Sequence, residues 1–206
     1  MRDHVEAARD AGVHLGFFSA NSAYWQIRLE PSAASCSADR IMVCHKKAKR
    51  DPLFETEPSR VTGQWRSAEV DRPEEQLIGV MYAGDPVDGD IVVSNASHWV
   101  FDGTGLANGA RLRGLLGYEV DAVQGRGPPG VHILAASPWS ALNDPQKHGI
   151  AHMSLYTATS GALVFATGSI QWAWGLDDFN VPALRSSRLS EAAQQVTRNL
   201  LARFVS

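Results

Sequence analysis

Apolar residues at both ends of the chain recur at helical spacing, and between them lie short apolar runs broken by glycine, proline and aspartate. Met1, Val5 and Ala8 share one face while Arg2, Glu6 and Arg9 lie elsewhere, and Gly12 follows as a stop, so the pattern predicts a helix over 1–11. No Ser, Thr, Asp or Asn precedes Met1 to cap it. The helix therefore starts mid-pattern, as in a fragment of a longer chain or in an ordinary fraying terminus. Residues 13–20 are apolar nearly throughout and predict a short buried strand that runs into Asn21-Ser22-Ala23-Tyr24-Trp25. At the other end Leu189, Ala193, Val196, Leu200 and Phe204 define a docking helix. Ser190 is its N-cap, Glu191 sits in its first turn and Arg203 in its last, both favourable to the helix dipole.

The middle of the chain is less regular. Trp25-Gln26-Ile27-Arg28 alternates like a strand, and residues 31–76 read as an irregular insertion containing a basic run from His45 to Arg50, expected to be a solvated loop. Further strands are expected at 77–82, 90–93 and 131–135. Residues 153–158 and 162–166, joined around Ser160-Gly161, have the turn chemistry of a β-hairpin. A helix joined by Ala-Gly to a buried strand is half of a parallel α/β unit, and the hairpin adds antiparallel pairing. The expectation is one α/β domain over 1–206 with a mixed sheet, a C-terminal hairpin and a C-terminal helix. Ligands in such sheets bind beyond the carboxyl ends of strands, which places Asn21 and Tyr24 where a site is expected.

Composition narrows the function classes. Hydrophobic residues make up 44% and charged residues 20%, an ordinary globular balance. Nineteen basic against 22 acidic side chains give a net charge of -3, which offers no electrostatic footprint for nucleic acid or an anionic membrane. No apolar run approaches the roughly 20 residues of a membrane span, and the start carries no signal peptide. A cytoplasmic chain is expected. Cys36 and Cys44 are too few for a disulfide framework and match no metal knuckle.

Few residues stand out chemically. Glu119 lies in the apolar stretch Leu115-Leu116-Gly117-Tyr118-Glu119-Val120-Asp121. A carboxylate buried there must be paired, hydrogen-bonded, metal-bound or protonated; otherwise it points to water at a strand end or pairs with Arg111 or Arg113. Asn21 can cap a turn, and Tyr24 can pack its ring with the hydroxyl wet. Arg28 can pair with Glu30 or with a substrate anion. His148 and His152 have helical metal-pair spacing, but Gly149 lies between them, no glutamate follows the first, and a strand comes next. Gly103-Thr104-Gly105-Leu106 lacks the Gly-Lys-Ser/Thr of a phosphate loop. Gln171 between Ser169 and Trp172 suits either a small-ligand wall or aromatic packing under a loop.

Taken in order, several segments resemble the C-terminal catalytic domain of the N,N-dimethylformamidase large (β) subunit family. They are residues 12–18 running into 21–28, His98-Trp99-Val100-Phe101 with Gly103-Thr104-Gly105-Leu106, Gly117-Tyr118-Glu119-Val120-Asp121, and Gly168-Ser169-Ile170-Gln171-Trp172. The resemblance implies a flavodoxin-like sandwich of the class I glutamine amidotransferase type. It also implies metal-dependent hydrolysis of a small N-substituted amide by a mononuclear iron held by two tyrosines and a glutamate. Tyr24 would then be one phenolate and Glu119 the carboxylate, with Asn21 and His98 beside them as catalytic residues. The family's other tyrosine belongs to a His-Asp-Glu-Tyr-Trp-Ser segment before the first helix, so this chain is expected to begin downstream of that ligand. From this follow two further expectations: a homo-oligomer or assembly with another subunit, and, as the alternative function, a non-catalytic remnant or structural module of the same fold.

Overall fold

The structure is a computed structural model and describes residues 1–179, 181 and 186–206. In chain order the elements are α1 (Arg2–Asp10), β1 (Leu15–Phe17), β2 (Trp25–Gln26), β3 (Arg28–Glu30), β4 (Ile41–Val43), β5 (Gly63–Gln64), α2 (Glu75–Ile78), β6 (Met81–Val92), β7 (Arg111–Ala122), β8 (His132–Ala141), β9 (Asp144–Thr157), β10 (Leu163–Ala166) and α3 (Glu191–Phe204), with short 3-10 turns between some of them. The chain divides into two compact units, one formed by Met1–Ser22 with Glu75–Ser206 and the other by Ala23–Glu74.

The larger unit is built on β-strands. A four-stranded sheet has the order β1-β10-β9-β8, in which β1 runs parallel to β10 and the other pairings are antiparallel. Strands β6 and β7 form a long antiparallel pair of their own, and β6 packs on β8. Two bridges, Val93 to Ala135 and Val120 to Ser169, pin this pair at either end. Side chains between the layers, among them Ile91, Leu115, Leu116, Leu134 and Phe165, are fully buried. Helix α3 closes the core with Ala193, Val196 and Leu200, and the Ser190 hydroxyl accepts the Ala193 N–H at its start.

This architecture corrects the expected fold. The described residues are 21% helical and 33% strand, and no flavodoxin-like or class I glutamine amidotransferase-like sandwich is present. A parallel sheet needs a crossover helix between successive strands. Here β6 to β10 follow one another without one, and the consecutive pairs β6–β7, β8–β9 and β9–β10 are antiparallel. The opening helix and strand do exist, but β1 is three residues long and finds its partner in β10, nearly 150 residues away, rather than in a following strand. The expected strands at 77–82 and 90–93 also resolve differently: Leu77 and Ile78 lie in α2, Met81, Tyr82 and residues 90–92 belong to the 12-residue β6, and Val93 forms only an isolated bridge. The hairpin is as expected, with Leu163 opposite Thr157 and Ala166 opposite Ser154.

The smaller unit holds two two-stranded antiparallel ladders, β2 with β5 and β3 with β4. With so little sheet, its order depends on a buried ion pair. The Asp51 carboxylate accepts from Arg28 Nη1 at 2.8 Å, from the Thr62 N–H at 2.8 Å, from Thr62 Oγ1 at 2.9 Å and from the Leu53 N–H at 3.1 Å. These donors hold Asp51 well below the usual carboxylate range against the opposing cost of burial, the largest single influence. Arg28 also bonds Glu30 Oε1 at 2.8 Å, so the pairing expected from sequence is present together with a second, buried one.

Candidate functional site

Three segments of the larger unit meet at the end of β7. Glu119 and Asp121 are two apart in that strand, with the fully buried Val120 between them. Beyond β1 the chain continues through Ser19 and Ala20 to Asn21, whose backbone N–H donates to Asp121 Oδ1 at 2.8 Å. Asn21 adopts φ 54°, a left-handed conformation that asparagine tolerates better than most residues. The third segment follows β10. The Thr167 N–H donates to the Phe17 carbonyl at 3.0 Å, its hydroxyl reaches the Ser19 carbonyl at 3.3 Å, and the Asp121 N–H donates to the Gly168 carbonyl at 3.0 Å. Gly168 has φ +62°, and a Cβ there would stand 2.2 Å from the His152 carbonyl oxygen, so only glycine lets the strands approach.

The carboxylates at this point differ in commitment. Asp121 is buried and accepts the Asn21 N–H, whereas Glu119 is half-buried and has no hydrogen bond or ion pair among the described residues. Arg111, a partner offered by the sequence, pairs instead with Asp90 at 3.5 Å. The Asn21 Oδ1 is buried with no hydrogen-bond partner, which leaves an acceptor beside the same carboxylate pair. Two residues beyond Asp121, the Val123 N–H donates to His152 Nδ1 at 3.0 Å. Burial pushes the His152 imidazole below its ordinary value, with the Glu75 carboxylate opposing. A neutral ring whose Nδ1 accepts carries its proton on Nε2. Glu75 itself is fully buried and accepts the backbone N–H groups of Gln124 (2.8 Å), Gly125 (3.1 Å) and Arg126 (3.0 Å), fixing the loop that leaves β7.

The strand leading into Glu119 is held with equal care. The Gly117–Tyr118 peptide is cis. The Ser169 hydroxyl donates to the Leu115 carbonyl at 2.6 Å and accepts the Gly117 N–H at 2.9 Å. A Cβ on Gly117, at φ +138°, would lie 2.0 Å from the Val87 carbonyl oxygen and 2.6 Å from Gln171 Nε2. Gln171 is buried and bonded to Arg188, which also forks onto Asp88 at 2.7 and 3.0 Å and lies 4.9 Å from the Trp174 ring. Trp172 is fully buried, its indole N–H donating to Thr197 Oγ1 at 3.2 Å. The segment from Gly168 to Gly175 is therefore packing that supports β7, not a ligand wall.

Tyr24 belongs to the smaller unit. Its hydroxyl accepts from Gln64 Nε2 at 2.9 Å, the Arg66 guanidinium lies 5.2 Å from its ring, and Trp25 meets it edge-on at 4.9 Å. His98 caps the 3-10 turn Trp99–Phe101, accepting the Val100 N–H at 3.4 Å. Its ring lies 5.8 Å from that of His132, and burial, with the His132 charge adding to it, pushes His98 below its ordinary value. No described hydrogen bond or ring contact links His98 to Glu119, Asp121 or Asn21. His148 lies in the exposed part of β9, with His152 farther along the same strand, and Cys36 and Cys44 are free thiols. Among the described residues no group of three or more His, Cys, Asp or Glu side chains is arranged to hold a metal ion, and no helix is long and apolar enough to cross a membrane. The site residue that sequence reading passes over is Asp121. It stands in the same five-residue segment as Glu119, and its strand periodicity was the available signal.

The larger unit is thus a β-rich domain in which a strand-borne carboxylate pair meets an asparagine turn. The family model described as N,N-dimethylformamidase beta subunit-like, C-terminal, matches residues 1–186, and the chain belongs to that family. No curated protein matches the chain.

Proposed function

We propose that this chain is a hydrolase domain that splits a small N-substituted amide with water, giving a carboxylic acid and an amine, and that it does so as part of an oligomer or with another subunit. The family supports the reaction class and the subunit character. The observation that carries the site is Glu119, a half-buried carboxylate with no hydrogen bond or ion pair among the described residues, two positions before the Asp121 that accepts the Asn21 N–H.

The carboxylate chemistry of Glu119 suits a hard metal such as iron. Glu119 is an uncommitted hard oxygen donor. Glu119 would be a ligand of the metal, which when bound supplies Lewis acidity toward an amide carbonyl and lowers the pKa of a bound water. The chain's own contribution is positional. Asp121 fixes the Asn21 turn through its backbone N–H, and the Asn21 Oδ1 is a buried acceptor with no partner among the described residues.

The test is iron content and amine release from N,N-dimethylformamide, measured on the full chain after iron loading. Glu119→Ala is expected to lose at least tenfold in both readouts while melting as the parent does. Equal iron in parent and Glu119→Ala would remove Glu119 from the coordination sphere and overturn the reading.

A further inference from the structure

The basic run at residues 45–50 does not hang free in solvent. Within the unit Ala23–Glu74 it walls a cavity of about 580 Å³, lined by Trp25, Lys46, Lys47, Lys49, Arg50 and Ser67 together with a few neighbours. The backbone explains how. Lys46 takes φ 62°, turning the chain out of the β4 direction, and residues 48–50 then close a 3-10 turn around the buried Ala48. Four cations that an extended chain would send to opposite sides are thereby set around one opening.

Their charge is barely compensated. Glu69 is the acidic residue of the lining, and its nearest partner is Lys49 Nζ at 3.9 Å. Trp25 presents a flat indole whose orientation is fixed by the edge of Tyr24 at 4.9 Å, with Lys46 Nζ 5.8 Å from the ring centre.

We propose that this cavity binds a small polyanion carrying a flat aromatic ring, of the nucleoside phosphate class. The ring stacks on or against Trp25, and the phosphate oxygens sit among Lys46, Lys47, Lys49 and Arg50. The volume lies within the roughly 300–1,000 Å³ typical of small-molecule sites. The net charge of -3 gives the whole chain no field for a long polyanion, so the local positive charge acts at the scale of one small ligand.

Calorimetric titration of the full chain at low ionic strength tests this, with ADP, pyrophosphate, adenosine and a single-stranded oligonucleotide as probes. ADP is expected to bind at least tenfold more tightly than either pyrophosphate or adenosine, and to weaken as salt is raised. Trp25→Leu should erase the preference for ADP over pyrophosphate, and Lys46→Ala with Lys49→Ala should cost tenfold or more. The two lysines are exposed, so that double variant keeps its fold and its melting temperature checks this. Equal binding of ADP and pyrophosphate, tighter binding of the oligonucleotide, or no saturation by millimolar ADP would each overturn the proposal.

Discussion

Replacing Asp51 by asparagine preserves shape and removes one charge from the centre of the smaller unit. Oδ2 accepts three bonds, from Arg28 Nη1 and from the Thr62 N–H and hydroxyl, while Oδ1 accepts the Leu53 N–H. An asparagine that keeps its oxygen at the Oδ2 position must aim its NH₂ at the Leu53 N–H, setting donor against donor. The lost bond and the unsatisfied donor cost about 1–3 kcal/mol. Arg28, with a side chain only 8% exposed, loses one of its two carboxylates but keeps Glu30 at 2.8 Å, so the penalty stays below the roughly 3–5 kcal/mol of a fully orphaned buried charge. We expect a total of about 3 kcal/mol, read by urea titration with the fluorescence of Trp25 and Trp65 reporting the unit. The pH dependence has a definite sign. The folded pKa of Asp51 is depressed, so its contribution is present above the unfolded value of about 3.9 and is lost as pH falls below it toward the folded value. The difference between parent and Asp51→Asn should therefore shrink on acidification below about pH 4. Arg28→Met completes a cycle, and the double variant should be less destabilised than the sum of the singles by at least about 1 kcal/mol. A loss under about 1 kcal/mol for Asp51→Asn, or strict additivity, would refute the assignment of Asp51 as the centre of this unit.

Gly117→Ala should destabilise the larger unit by about 3 kcal/mol or leave it insoluble, since its Cβ would meet the Val87 carbonyl at 2.0 Å and backbone cannot yield as a side chain does; normal melting of that variant would contradict the β7 geometry. Ser190→Ala removes the N-cap of α3 and should cost about 1 kcal/mol, seen as a fall of about 2–4 °C in melting temperature. His98 and His152 both have imidazoles pushed below their ordinary values, so the unfolded chain binds protons that the folded chain does not. Stability should be full above about pH 6.5 and decline as pH falls from there, and His152→Gln should flatten that decline in melting curves recorded from pH 7.5 to 5.5.

The elements legible from sequence are those whose signals are local. The helix over Arg2–Asp10, the capped helix Glu191–Phe204 and the hairpin of β9 and β10 each follow from spacing, caps and turn residues within a few positions. Glu119 also drew notice on local grounds, as a carboxylate in an apolar stretch. What the tertiary structure decided was everything set by pairing at a distance. Strand β6 carries register shifts at Tyr82/Gly84, Gly84/Val87 and Gly89/Ile91, so its buried positions fall at Met81, Gly84, Val87 and Ile91 and lose the two-residue period that announces a strand. A helix followed by a three-residue strand looks the same whether the next partner is a parallel neighbour or, as here, β10 near the far end of the chain. Asp121 became part of the site only when the loop after β1 delivered the Asn21 N–H to it, and the basic run became a cavity wall only when Lys46 turned and Trp25 closed the other side. Periodicity and capping are written in neighbouring residues, whereas strand partners and the convergence of side chains depend on which distant segments bury one another.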